Sequence, residues 1–107
     1  MLDPYAAAYE SIWASPLPLA WRFRFGWLYG IADQVVFEEG SLKAVIEYKS
    51  YYNVNKMEIT QASLYGLLAS LVFATRPKVY VKALKKILEV GEWEIWALKA
   101  LRRLRRL

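Results

Sequence analysis

Two short hydrophobic runs, residues 33–37 and 42–48, stand on either side of Glu38-Glu39-Gly40-Ser41. This is the pattern of a β-hairpin, and it constrains the fold more than any other stretch of the chain. The second run contains Ala44-Val45-Ile46 with no polar interruption, as expected of a central strand buried on both faces. A central strand needs partners on both sides and a layer packed over it, so the flanking sequence has to supply further strands and helices. Glu47 follows this run directly, and a charge at such a position is costly unless it serves a purpose.

The remaining elements follow from periodicity and caps. Residues 5–14 are good helix formers entered through Asp3-Pro4, and Ser15-Pro16-Leu17-Pro18 is expected to end that helix. Trp21, Phe23 and Phe25 then alternate with Arg22 and Arg24, a strand with one apolar and one basic face; Gly26 and Gly30 mark a bulge or bend beyond it. Asn55 with Glu58 three residues later predicts a helix start, and the helix should stop near Thr75, before Arg76-Pro77. Residues 78–84 alternate as a strand, while residues 85–90 fit strand and helix equally. From Glu92 onward, Trp93, Trp96, Ala97, Ala100, Leu101, Leu104 and Leu107 fall at helical spacing, with Arg102, Arg103, Arg105 and Arg106 on the remaining surface. Helix, strands, helix, strand, helix predicts an α/β fold around a mixed sheet.

Composition narrows the chemistry. The 107 residues are the length of one domain, and 57% hydrophobic residues exclude a disordered chain. With no cysteine there is no disulfide, thiolate metal site or iron–sulfur cluster, and with no histidine there is no imidazole base or ligand. A metal would have to be held by carboxylates, carbonyls and water, which favours Mg²⁺ or Mn²⁺. No secretory signal is visible, and the apolar run 64–74 is about half of what spans a bilayer. The expectation is an intracellular protein outside the membrane. A net charge of +5 calls for an anionic partner.

In a hairpin centred near Gly40, the numbers of paired residues sum to a constant, which sets Asp33 opposite Ile46 or Glu47. Two carboxylates that close repel one another unless a cation lies between them. Glu47 and Lys49 share a strand face, with Tyr48 on the other, so the Lys49 ammonium can reach a metal-activated water or a phosphate. Gln61 and Tyr65 are neighbours on one helical face; alone, they are ordinary positions on an amphipathic helix.

Together, Gly30-x-x-Asp33, Glu47-x-Lys49 and Gln61-x-x-x-Tyr65 resemble the RecB-like branch of the PD-(D/E)xK nuclease superfamily. The branch includes nuclease domains of recombination helicase–nucleases and CRISPR adaptation nucleases. The resemblance covers about a third of the chain. It implies a single domain with a restriction-endonuclease-like αβββαβ core, and metal-dependent DNA cleavage of exonuclease type. Carried over, it makes Asp33, Glu47 and the backbone carbonyl of Tyr48 the metal ligands, with Lys49 orienting the water. Gln61 and Tyr65 would brace the site and guide the strand. The family's acidic residue on the first helix would be Glu10. The iron–sulfur cysteines of many relatives are missing, and the chain is much shorter than most members.

Phosphate contacts would come from Arg22 and Arg24 and from Arg102 and Arg105. The last helix's arginines fit an ordinary solvated face equally well. Surplus aromatic surface such as Trp13, Trp21 and Trp27 could serve a homodimer. Three rival readings remain: a Holliday-junction resolvase with the same acidic core, a catalytically silent nucleic-acid-binding or assembly subunit, and, ranked last, a peripheral membrane protein held by the last helix.

Overall fold

A computed structural model describes residues 12–49 and 55–105. Its elements are β1 (Ile12–Phe23), β2 (Gly26–Glu38), β3 (Ser41–Tyr48), α1 (Lys56–Phe73), β4 (Lys78–Ala83), β5 (Lys86–Glu89) and α2 (Trp93–Arg105). The five strands form one sheet in chain order. Adjacent strands are antiparallel except β3 and β4, which run parallel with α1 as their crossover. The fold class is thus α/β with a mixed sheet.

The expected first helix is corrected over its last residues. Ile12, Trp13 and Ala14 belong to β1, paired with Glu38, Phe37 and Val36; residues 5–11 lie outside the described residues. Ser15-Pro16-Leu17-Pro18 likewise ends no helix but continues β1. Pairing with β2 overrides local helix propensity here. The two prolines are accommodated because β1 is an edge strand, with no neighbour on its open side among the described residues. A second correction concerns Arg24 and Phe25, which form the turn after β1 rather than extending it; Gly26 leaves that turn with φ +133°. Residues 86–89 settle as strand.

The start of α1 is fixed as its sequence predicts. The Asn55 side-chain oxygen accepts from the backbone N–H of Met57 at 3.0 Å and of Glu58 at 3.2 Å. The helix ends at Ala74, in the left-handed region with φ 53°, before Pro77. One face of α1 buries Ala62, Leu68 and Ala69 against Val35 and Phe37 of β2, Val45 of β3, and Val79 and Val81 of β4. Gly66 brings the helix close: a Cβ there would sit 2.5 Å from Val79 Cγ2 and 3.3 Å from the Trp93 ring. Trp93, at the start of α2, is buried and donates its indole N–H to the Pro77 carbonyl at 3.0 Å, so its one polar atom is satisfied inside the core. The rest of α2 packs chiefly along α1. On the opposite face of the sheet, Trp27, Tyr29 and Ile31 of β2 are exposed.

Two bulges interrupt the hairpins. Ser15 pairs with Val35 but Leu17 pairs with Ala32, so Asp33 and Gln34 together oppose Pro16. Val36 pairs with Ala44 but Phe37 pairs with Leu42, which leaves Lys43 as the extra residue of β3. Each bulge shifts the in–out alternation by one residue. That shift explains why Ala32, Val35 and Phe37 are all buried despite their odd spacing, as are Leu42, Val45 and Glu47.

Candidate active site

The first bulge is where the predicted acidic pair meets. Gln34–Ile46, Val35–Val45 and Val36–Ala44 are cross-strand partners, and one further step along this register brings Asp33 opposite Glu47. Of the two partners allowed by the sequence, Glu47 is the one realised. The bulge displaces the backbone of β2, and the Asp33 side chain takes over a ladder bond: its Oδ2 accepts from the Tyr48 N–H at 2.9 Å.

Glu47 lies on the α1 side of β3 with Val45 and is 4% exposed. Its Oε2 has no hydrogen-bond partner. Burial in the first place, and then the neighbouring Asp33 carboxyl, push the Glu47 carboxyl up to about 8, with Lys49 acting in the opposite direction. Burial and the second carboxyl thus both favour the protonated form of Glu47.

Lys49 is pinned at both ends. Its backbone N–H donates to the Lys82 carbonyl of β4 at 2.8 Å. Its Nζ lies 3.6 Å from Oε1 of Glu58, a residue in the first turn of α1. Tyr48 points to the other sheet face, as alternation predicts; its hydroxyl donates to Gln34 Oε1, and Lys82 Nζ stands 5.7 Å from its ring centroid.

Gln61 and Tyr65 are also brought together, with Gln61 Nε2 donating to the Tyr65 hydroxyl at 3.2 Å. The Tyr65 ring lies over Gly30, where a Cβ would come within 2.6 Å of Tyr65 Cε1. The glycine of the first motif is thus the seat of the tyrosine of the third, about 10 Å along β2 from Asp33. Glu10 lies outside the described residues.

No group of three His, Cys, Asp or Glu side chains able to hold a metal occurs among the described residues. The Asp33–Glu47 pair still suits a hard divalent cation. It offers oxygen donors only, and one of them is buried without a donor of its own.

Of the predicted nucleic-acid residues, Arg22, Arg24 and Arg102 line cavities shared with residues of the β1–β2 hairpin. Arg24 and Arg102, far apart in sequence, line one cavity of about 280 Å³ with Phe23, Phe25, Leu98 and Leu101. The rings of Phe23 and Phe25 stack there, with centroids 5.4 Å apart and planes within 1° of parallel. Arg22 lines a separate cavity of about 410 Å³ with Ala20, Trp21, Trp27 and Val72. Arg105 closes α2.

Sequence reasoning assigned Glu58 only to the helix start. The structure buries it beside Lys49. The signal was present in the spacing, since Glu58, Gln61 and Tyr65 recur on one helical face. No helix among the described residues is long and apolar enough to cross a membrane. Comparison with protein-family models, with curated proteins and with solved structures finds no match for this chain.

Proposed function

We propose that this chain is a metal-dependent deoxyribonuclease of the RecB-like PD-(D/E)xK type, hydrolysing DNA phosphodiester bonds. The observation that carries this reading is the Asp33–Glu47 pair, with its unpartnered buried oxygen beside Lys49. The order β1-β2-β3-α1-β4, with β3 and β4 parallel across α1, agrees with the βββαβ part of the family's core.

Asp33 and Glu47 would hold Mg²⁺ or Mn²⁺, with the Tyr48 carbonyl and Glu10 as the remaining ligands the resemblance implies. When bound, such an ion acidifies a water and neutralises phosphate charge. The Tyr48 N–H fixes the Asp33 carboxylate. Lys49 supplies a positive charge for the attacking water or the phosphate, at an angle set by its backbone bond to β4. Tyr65, seated on Gly30 and bonded to Gln61, offers a hydroxyl and a ring edge to the strand being cut. Arg24 and Arg102 with the stacked Phe23 and Phe25 would take up phosphates and bases away from the reacting bond. Exposed Trp21 and Trp27 offer a face for a homodimer; a strictly monomeric mass by light scattering at micromolar concentration would exclude it.

The test is cleavage of labelled single-stranded, double-stranded and junction DNA with Mg²⁺, Mn²⁺ or EDTA. Metal-dependent cutting that falls about 100-fold or more in both Glu47→Ala and Lys49→Ala is expected. Paired cuts at junctions would instead favour a resolvase. Tight DNA binding without cutting by folded wild type would favour a silent binding or assembly subunit.

A further inference from the structure

We infer that Glu58 is a positioning residue that draws the Lys49 ammonium away from Glu47, so that the Asp33–Glu47 pair stays open to a divalent cation. The inference rests on the metal-site reading above.

Glu58 gives up a capping bond to reach Lys49. Asn55-x-x-Glu58 is the spacing of a capping box, in which the glutamate returns a bond to the backbone N–H of the capping residue. Only the asparagine half forms here. The Glu58 carboxylate turns inward instead, to 3.6 Å from Lys49 Nζ, and its Oε2 is buried without a partner. At 3% exposed, this arrangement costs desolvation that a solvent-facing glutamate at the same position would avoid. The field of the helix N-terminus offsets only part of that cost.

Lys49, for its part, does not pair with its strand neighbour Glu47. Lys49 sits two positions beyond Glu47 on the same strand face, close enough for its ammonium charge to act on the Glu47 carboxyl. The ammonium nevertheless pairs with Glu58, while Glu47 Oε2 has no hydrogen-bond partner. A lysine carries a compact charge on a flexible stem. Freed from Glu58, it could turn to the Asp33–Glu47 pair, whose Glu47 carboxyl already feels the lysine's charge. It would then occupy the place of the cation.

The division of labour is testable by Mg²⁺ titration calorimetry on the full chain, without any nucleic acid. E58Q keeps the shape of the side chain and removes its charge. Mg²⁺ binding is expected to weaken about tenfold, the scale seen when residues supporting metal ligands are changed. The double variant E58Q/K49A, in which no lysine is left to compete, is expected to recover wild-type affinity or better. Unchanged binding in E58Q would overturn the inference, as would a double variant no better than E58Q. If E58Q does not fold, E58D retains the charge on a shorter reach and should lose affinity in the same direction; wild-type binding in E58D would then refute the idea. In cleavage assays E58Q should lower kcat with little change in KM for DNA. Wild type that binds Mg²⁺ but cuts nothing would remove the nuclease reading and leave the Glu58 inference to the calorimetry. Wild type that binds no Mg²⁺ would remove both.

Discussion

Replacing Glu47 by Gln probes the electrostatics of the site with no substrate present. The Glu47 carboxyl titrates near 4.5 in an unfolded chain and near 8 in the fold, where burial and Asp33 favour its protonated form. Below pH 4.5 both states carry the proton and the group adds nothing to the pH dependence. Between 4.5 and 8 the unfolded chain has released the proton and the folded chain has not, so the fold binds more protons and stability falls as pH rises. The slope is about 1.4 kcal/mol per pH unit, and the accumulated loss by pH 8 is about 5 kcal/mol. Set against the roughly 5–15 kcal/mol that holds a domain of ordinary stability together, this is a large fraction. Gln preserves the shape and cannot titrate. Urea unfolding midpoints of wild type and Glu47→Gln, measured from pH 4.5 to 9, should therefore diverge steadily and then run parallel above pH 8, with wild type the loser. Titrating groups away from Glu47 are common to both proteins and cancel in the difference; Asp33 and Lys49, which interact with Glu47, belong to the effect being measured. Curves that stay parallel across the whole range would refute the buried, proton-holding Glu47.

The cation, the Gly30–Tyr65 contact and the paired arginines each give a further expected outcome. Saturating Mg²⁺ should raise the melting temperature of wild type, by more at pH 8 than at pH 6 because binding releases the Glu47 proton; a shift of equal size in Asp33→Ala or Glu47→Ala would place the ion elsewhere. Gly30→Ala puts a methyl group 2.6 Å from Tyr65 Cε1 and should destabilise the fold by about 1–3 kcal/mol. Gly30→Ala with Tyr65→Ala should recover part of that loss in chemical denaturation, and no recovery would mean that the two residues do not touch. Arg24→Ala and Arg102→Ala, which share one cavity, should each lower the slope of log affinity against log salt for DNA by about one. An unchanged slope would assign both arginines to ordinary solvated surface.

The parts of the fold that were legible in the sequence are those where local pattern and tertiary pairing agree. The turn at Glu39-Gly40, the strand carrying Ala44-Val45-Ile46, the Asn55 cap and the apolar stripe of α2 are of this kind. Asp33 beside Glu47 was legible because a hairpin register is arithmetic. The early strand was not, because Pro16 and Pro18 read locally as helix terminators, and only the strand's place at the edge of the sheet makes them harmless. The bulge at Asp33-Gln34 was also hidden: it arises from matching two long strands through Pro16, and Asp33 itself carries no sign of it. Glu58 was missed for a different reason. A glutamate in the first turn of a helix has a sufficient local explanation, and only burial reveals that its carboxylate faces the other way.

Pro16 and Pro18 have one further consequence. Among the described residues, a five-stranded sheet in a chain this rich in apolar residues has two open ends to its ladder, and each could template the addition of another chain. Neither proline has an N–H to offer along β1, so a newcomer there would find donors missing at two places within three residues. At the other end β5 is only four residues long and begins with Lys86. Among the described residues, both edges of the sheet are therefore poor templates for a further strand, and the hazard that comes with such a composition is contained at the two strands where it would begin.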